Sequence, residues 1–284
     1  MEPFVLQEAG NGTKVMMLSG FMSAGTSVTA GFSTRTGGGS GEPFAGLNCG
    51  LHVDDEPERV VANRRCLAEA LGVPFEACTY GEQVHGKEIQ MVTAAMRGAG
   101  IRERETALQA KDGFMTNEPG VYLHALFADC VPLYFYDPIR GAVGLAHAGW
   151  KGTALGIARS MVEAMSAAYG TKARDLLTAI GPSIGACCYE VDDTVISRID
   201  KALGFSGGAA LEAGQAPFYE GKPNGKYTLN LQAVNRQIMI KAGIMPSHIE
   251  ISGLCTSCRT DLFFSHRKEE GRTGRMAAWI GLRA

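Results

Sequence analysis

Three residues of the chain carry side chains suited to metal or nucleophile chemistry, and each sits where glycine or alanine leaves room around it. They are His85 in Gln83-Val84-His85-Gly86, Cys130 in Ala128-Asp129-Cys130, and His147 in Ala146-His147-Ala148-Gly149-Trp150. Two imidazoles and a thiol are the ligand set of a zinc centre that keeps one position open for water or substrate. Spacing brings two of the three together. The apolar run from Val121 to Tyr136 reads as one buried strand, or as two joined at Pro132. The turn signal Asp137-Pro138-Ile139-Arg140-Gly141 leads to a second apolar run, Ala142 to His147,. A hairpin turning at Pro138 and Ile139 sets Cys130 opposite His147 or Ala148, where cross-strand Cβ atoms are about 4.5–5.5 Å apart. One metal ion reaches both residues at that separation.

The same residues admit other roles. A free Cys is among the most buried residue types, and a His on an apolar strand ordinarily satisfies a hydrogen bond in the core. A cross-strand Cys–His pair also suits a metal-free cysteine hydrolase, with Cys130 as nucleophile, His147 as its base, and Asp129 or another carboxylate as orienter. His85 discriminates: convergence of all three residues means a metal, whereas a remote His85 means a dyad. His124 shares a strand face with Cys130, but six residues of straight strand put it about 20 Å away and outside the site.

Other segments offer charge. Gly31-Phe-Ser-Thr-Arg-Thr-Gly-Gly-Gly-Ser40 is a glycine-rich loop beside Arg35. It has neither the Gly-Lys-Ser/Thr ending of a P-loop nor the spaced glycines of a dinucleotide fingerprint. Alone it reads as a flexible turn; with Arg35 it makes an anion pocket from backbone N–H groups and a guanidinium. Gly149-Trp150-Lys151-Gly152 opens a helix whose first N–H groups favour an anion beside Lys151, and Trp150 offers a stacking face. Net charge is −2 over 284 residues, and no Lys/Arg run exceeds Arg267-Lys268. That argues against nucleic acid and anionic membrane as partners. No run reaches transmembrane length, and Val15 to Phe32 is interrupted by Gly20, Gly25 and Gly31, unlike a signal peptide,. A cytoplasmic protein with reduced cysteines is expected. Cys255-Thr-Ser-Cys258 is then half a metal site; Cys187-Cys188 does not complete it, because neighbours on an extended chain point apart, so packed thiols are expected there.

The positioning elements are legible in outline. Helices are expected from Pro57 to Leu71, from Gly152 to Tyr169 and from Leu231 to Ala242, with glycine following each and Asn230 capping the last,. Short strands are expected at Ile89–Val92, Leu176–Ile180, Ile249–Ile251 and Ala277–Ile280, and a strand is expected to lead into Phe32-Ser-Thr-Arg35. Ser206 to Lys226, rich in Gly, Ala and Pro, reads as a surface loop. Hairpins separated by helices argue for an α+β fold.

The chain resembles the YfiH-like family, also labelled multicopper polyphenol oxidase or laccase-domain proteins and regarded as purine nucleoside phosphorylases. Ordered blocks carry the resemblance: Gly31–Gly38, Leu47-Asn48 with His52-Val53, Asn63-Arg64, Glu82–Gly86 and Ala128–Pro132. They continue through Gly144–Trp150, Ala179–Gly185 with Cys188-Tyr-Glu190, Cys255-Thr256, and Phe264-Ser-His-Arg267 with Thr273-Gly-Arg275. The resemblance implies a layered α/β/β/α sandwich forming one catalytic domain over residues 1–284. It implies that His85, Cys130 and His147 bind zinc, with copper the other metal the family label admits. It also implies phosphorolysis of adenosine, inosine, guanosine and methylthioadenosine, and adenosine deamination, by a monomer or homodimer whose partners are purine nucleosides and phosphate.

On charge, Arg35, Lys151 and Arg267 suit the phosphate, and Arg275 is the other cation that matches a family block. Asn48, Gln83 or Asp129 suits the sugar or base. Two positions depart from the family pattern. Relatives usually carry Arg where this chain has Lys151, which keeps the charge without the bidentate fork, and often carry Gly where it has Asp54. The laccase label fits poorly, since a multicopper oxidase needs a His-rich trinuclear cluster and this chain has six histidines with no His-x-His pair,. Deamination would use a different scaffold from the His-x-Glu…Cys-x-x-Cys deaminases.

Overall fold

Side-chain alternation along three long strands sets the architecture of the chain, described here by a computed structural model covering residues 1–24, 28–204 and 218–284. Strands Val131–Asp137 and Ala142–Ala148 are buried along their whole length. Tyr134, Tyr136, Val143 and Leu145 enter one core with Phe32, Leu123, Phe127 and Met276. The alternate residues Val131, Leu133, Phe135, Ala142 and Ala146 pack on Ile157, Met161, Met165, Ile199 and Ile238 of three helices. Strand Met276–Leu282 divides likewise: Ala278 and Ile280 face the first core, while Ala277 and Trp279 pack on Leu67, Ala68 and Leu71 of helix Pro57–Leu71. A strand with period two that is apolar on both faces must be covered on both. Two sheets packed face to face, each with helices on its outer face, satisfy that requirement: the fold is an α+β sandwich layered α/β/β/α.

The first sheet orders its strands Phe4–Glu8, Lys14–Leu18, Val28–Ser33, Met276–Leu282, Tyr122–Phe127 and Cys78–Tyr80. The second runs Ile249–Ile251, Leu177–Ile180, Val131–Asp137, Ala142–Ala148, Gly113–Thr116 and Ile89–Met91. Among the described residues no helix is long and apolar enough to cross a membrane.

Several expectations are corrected. The apolar run from Val121 is two strands in different sheets, and the break falls at Ala128-Asp129-Cys130 instead of Pro132. Asp129 crosses between sheets with φ +87°, in the left-handed region that few non-glycine residues adopt,. The hairpin register is shifted: Val131 pairs with Ala148 and Asp137 with Ala142, so four turn residues separate the strands and Cys130 lies just past the ladder. The helix expected from Gly152 is two helices, Trp150–Leu155 and Ile157–Tyr169, divided at Gly156 with φ +82°. Its charged start therefore belongs to a helix of six residues, with a correspondingly short dipole,. The segment expected to lead straight into Phe32 contains strand Lys14–Leu18 and helix Ser19–Ala24 before strand Val28–Ser33. Of the loop expected at Ser206 to Lys226, residues 206–217 lie outside the described residues, and Tyr219–Gly221 is a strand that pairs with Tyr227–Leu229 in a small third sheet.

Candidate metal centre and its cavity

The site grows from strand Ala142–Ala148, the sheet crossover and one strained loop. His147 lies on the same strand face as Val143 and Leu145, so it points between the sheets, where its ring approaches Phe127 at 5.2 Å between centroids. Cys130 comes from the crossover. His85 has φ +59°, a conformation that costs a non-glycine residue energy and persists only when its surroundings impose it,. Asp112 imposes it: its carboxylate accepts the backbone N–H groups of Val84, His85 and Gly86 at 3.1, 3.0 and 2.7 Å. The same carboxylate bonds His147 Nδ1 at 2.8 Å, and the Asp112 carbonyl accepts the His147 amide at 2.7 Å. Asp112 thus ties both histidines to one point, and sequence reading missed it, since Lys111-Asp112-Gly113 looks like an ordinary turn.

The structure brings His85, Cys130 and His147 together, with their candidate ligand atoms all within 4.8 Å of one another. The backbone beside them is shaped to match: a Cβ added at Gly149 would fall 2.8 Å from His85 Nδ1 and 3.0 Å from Cys130 Sγ. Burial alone would raise the Cys130 thiol, but His147 and His85 outweigh it and hold the pKa down at about 6. Burial would lower His147, yet Cys130 and Asp112 lift it to about 9. The pair favours thiolate beside imidazolium, and thiolate is the form that binds a metal or attacks an electrophile. His124 is elsewhere, buried, stacked on Tyr80 at 4.6 Å and bonded through Nδ1 to the Tyr122 carbonyl.

Asp129 is committed to structure. Its carboxylate accepts hydrogen bonds from Thr256 Oγ1 (2.6 Å), Ser265 Oγ (3.1 Å) and the Arg267 amide (2.7 Å), and its carbonyl accepts the Ile184 amide. These partners hold the strained crossover and with it Cys130.

A cavity of about 340 Å³ opens over the three residues, within the range of small-ligand sites,. His52, Arg64, Tyr80, Gln83, Arg104 and Arg275 are among its walls. A smaller recess on the other side of His85 and Cys130 is lined by Trp150, Lys151 and Tyr189. The expected substrate residues divide accordingly. Arg275 and Gln83 reach the cavity, although both polar atoms of the Gln83 amide are bonded to the Leu126 backbone. Lys151 reaches the recess.

Three expected residues line neither the cavity nor the recess. Arg35 pairs with Glu269 at 3.0 Å, donates to the Thr260 carbonyl and lies over the Phe264 ring, so its charge is neutralised within the fold. The glycine-rich loop beside it is pinned by Asn63, which accepts the Gly39 amide and donates to Ser40. Asn48 is fully buried, donates to Asp55 and accepts the amides of Gly50 and Arg275, so it positions Arg275 from behind. Arg267 donates to the Glu190 carbonyl and stands over the Tyr189 ring. Arg64 and Arg104 were not singled out from sequence as binding residues. Arg64 is buried by helix Pro57–Leu71, donates to the Cys49 and Gly100 carbonyls and lies 3.9 Å from the Tyr80 ring centre; Arg104 pairs with Glu82 at the rim.

A second constellation corrects the expectation that Cys187-Cys188 does not complete the Cys255 and Cys258 pair. Cys187 and Cys188 lie in a turn instead of an extended segment, so both sulfurs reach Cys258, at 3.5 and 3.4 Å.

Residues 29–283 match the protein family described as multi-copper polyphenol oxidoreductase laccase. The chain is 48% identical over 256 residues to a Geobacillus stearothermophilus protein named purine nucleoside phosphorylase YlmD, with 90% of each chain covered. It is 44% identical over 256 residues to the Bacillus subtilis protein of that name, covering 90% of this chain and 89% of the other. The crystal structure of YlmD from Geobacillus stearothermophilus matches with a TM-score of 0.91 at 44% sequence identity over 100% of both chains.

Proposed function

The chain belongs to the multi-copper polyphenol oxidoreductase laccase family, and from that premise we propose that it is a purine nucleoside phosphorylase whose His85, Cys130 and His147 hold zinc. The observation that carries the reading is the convergence of these three donors at the floor of a cavity walled by Arg64, Arg104 and Arg275. The name borne by its relatives supplies the substrate class. Zinc in such a set supplies a Lewis acid with an open coordination position.

The remaining work falls to the chain. A phosphate oxygen forms a bond to the anomeric carbon of the nucleoside while the bond from that carbon to the purine nitrogen breaks; its electron pair leaves with the base, which takes up a proton. Arg275 is assigned to phosphate, because it is the one expected cation that lines the cavity; Arg64 adds positive charge beside it, whereas Arg104 is paired with Glu82,. Trp150 and Tyr189, in the recess beside His85 and Cys130, offer aromatic faces to the base,. Adenosine deamination is assigned to the same site as a slower activity. The proposed setting is cytoplasmic, as a single catalytic domain.

The Cys130–His147–Asp112 arrangement supports a second reading, a cysteine hydrolase,. His85 weighs against it, since a dyad has no need of a third donor within 4.8 Å. An oxidase of the laccase type finds no histidine cluster for a trinuclear centre among the described residues,. Adenosine incubated with and without phosphate and resolved by chromatography tests the proposal. Adenine and ribose 1-phosphate are expected only with phosphate. Cys130-dependent cleavage of simple esters or amides, with no ribose 1-phosphate, would establish the hydrolase instead.

A further inference from the structure

Away from the cavity lining, the sulfurs of Cys187, Cys188, Cys255 and Cys258 all lie within 4.8 Å of one another. None is joined in a disulfide. Two facing turns bring them there. In the first, the amides of Cys188 and Tyr189 both donate to the Gly185 carbonyl at 3.0 Å; in the second, the Arg259 amide donates to the Cys255 carbonyl at 3.0 Å. A bridge between Ser183 and Cys255 locks the turns side by side, with the Thr256 amide donating to the Ser183 carbonyl at 3.1 Å. The Gly185 amide donates to Cys255 Sγ at 3.2 Å, the kind of bond that stabilises charge on a thiolate,.

We infer that these four cysteines form a second metal site, a closed tetrathiolate centre for zinc or a similarly soft divalent ion, separate from the His85–Cys130–His147 centre. Four sulfurs placed about 2.3 Å from one tetrahedral ion lie roughly 3.8 Å apart, and the spacings of Cys187 and Cys188 from Cys258 are within a few tenths of that. Each thiol gives up its proton as the ion binds. The donor set is all sulfur and leaves no position for substrate, which makes the site structural. Cys187 and Cys258 are exposed, so an ion has a path in.

The location gives the site its purpose. The first turn follows Ile184, whose amide holds the Asp129 carbonyl, and ends at Tyr189, beneath Arg267; the second contains Thr256, whose hydroxyl holds the Asp129 carboxylate. An ion clamping the two turns fixes both supports of the crossover that presents Cys130.

The test uses the full chain carrying Cys130→Ala, which disables the first centre and leaves the cluster untouched. Metal analysis after purification without chelator is expected to find about one zinc per chain in this variant. Cobalt(II) titrated into the stripped, reduced variant is expected to give the intense sulfur-to-metal absorption of a tetrathiolate site. Adding Cys258→Ser should remove both signals. That comparison counts only where circular dichroism shows a folded chain; the cobalt spectrum of the single variant stands without it. Absence of zinc together with absence of the tetrathiolate spectrum would overturn the inference, as would peptide mapping that finds Cys258 disulfide-bonded to Cys187 or Cys188 in freshly isolated protein. The readouts are metal content and absorption, so failure here is distinguishable from failure of the phosphorylase reading.

Discussion

Asp112 bonds His147 Nδ1 at 2.8 Å and so leaves Nε2 as the nitrogen available to a metal. Such an outer carboxylate fixes the imidazole tautomer and strengthens it as a ligand. Replacing Asp112 by Asn should weaken zinc binding at this centre by about 10- to 100-fold. The same change removes the charge that holds the strained His85 loop. Competition with a chromophoric chelator measures the effect, and unchanged affinity would show that Asp112 does not orient the ligand.

Gly149→Ala should be damaging for a reason unrelated to backbone conformation. Its φ of −66° suits any residue, but the added methyl carbon would meet His85 Nδ1 and Cys130 Sγ. Crowding of this kind costs about 1–3 kcal/mol. Thermal unfolding should show a modest loss, and metal analysis a much larger one. A variant that keeps its full metal content would mean that the cradle is looser than its geometry.

The two arginines of the phosphate argument should separate cleanly. Arg275→Met should raise the KM for phosphate about tenfold or more, as expected from loss of a charge-assisted hydrogen bond. Arg35→Met should leave that KM unchanged and lower stability, because Glu269 loses its partner. Initial rates at varied phosphate, paired with melting curves, check both; the reverse pattern would return the glycine-rich loop to the site.

His124 should make stability sensitive to acid. Burial holds its folded pKa at about 3, against an ordinary value of 6.5. The unfolded chain therefore takes up a proton that the folded chain refuses, and stability falls as pH drops below about 6.5 toward 3. His124→Phe keeps a ring against Tyr80 and removes the proton site. Denaturant midpoints should then vary less between pH 7 and pH 5 than in the parent chain; equal slopes would exclude His124 as a contributor.

Periodicity and punctuation made much of the fold legible. Helix Pro57–Leu71 and strand Ile249–Ile251 lie where proline, glycine and apolar spacing put them. Helix Asp193–Leu203 went unread although its signals were present, with Asp192 capping Val195 and Gly204 in the left-handed region. The hairpin sets the expected residues side by side in a shifted register, because turn length, which fixes register, is hard to read from Pro138 to Gly141,. Arg35 and Arg275 show why charge could not be apportioned in advance. Each is an arginine in a family block, and only packing reveals that Glu269 consumes one while Asn48 presents the other.

The crossover at Asp129 has a consequence for assembly. His85, Asp112, Cys130 and His147 come from four separate segments: His85 from the loop that leaves the first sheet for the second, Asp112 and Cys130 from the residues that open strands of the second sheet, and His147 from a strand of that sheet. No short peptide contains a binding site, so the unfolded chain competes feebly for the ion. Nearly all the free energy of capture therefore resists global unfolding, and opening the second sheet forfeits it. Zinc would act on this chain as a latch thrown last: hydrogen exchange should slow across both sheets together when the ion binds, not merely at the loop that touches it.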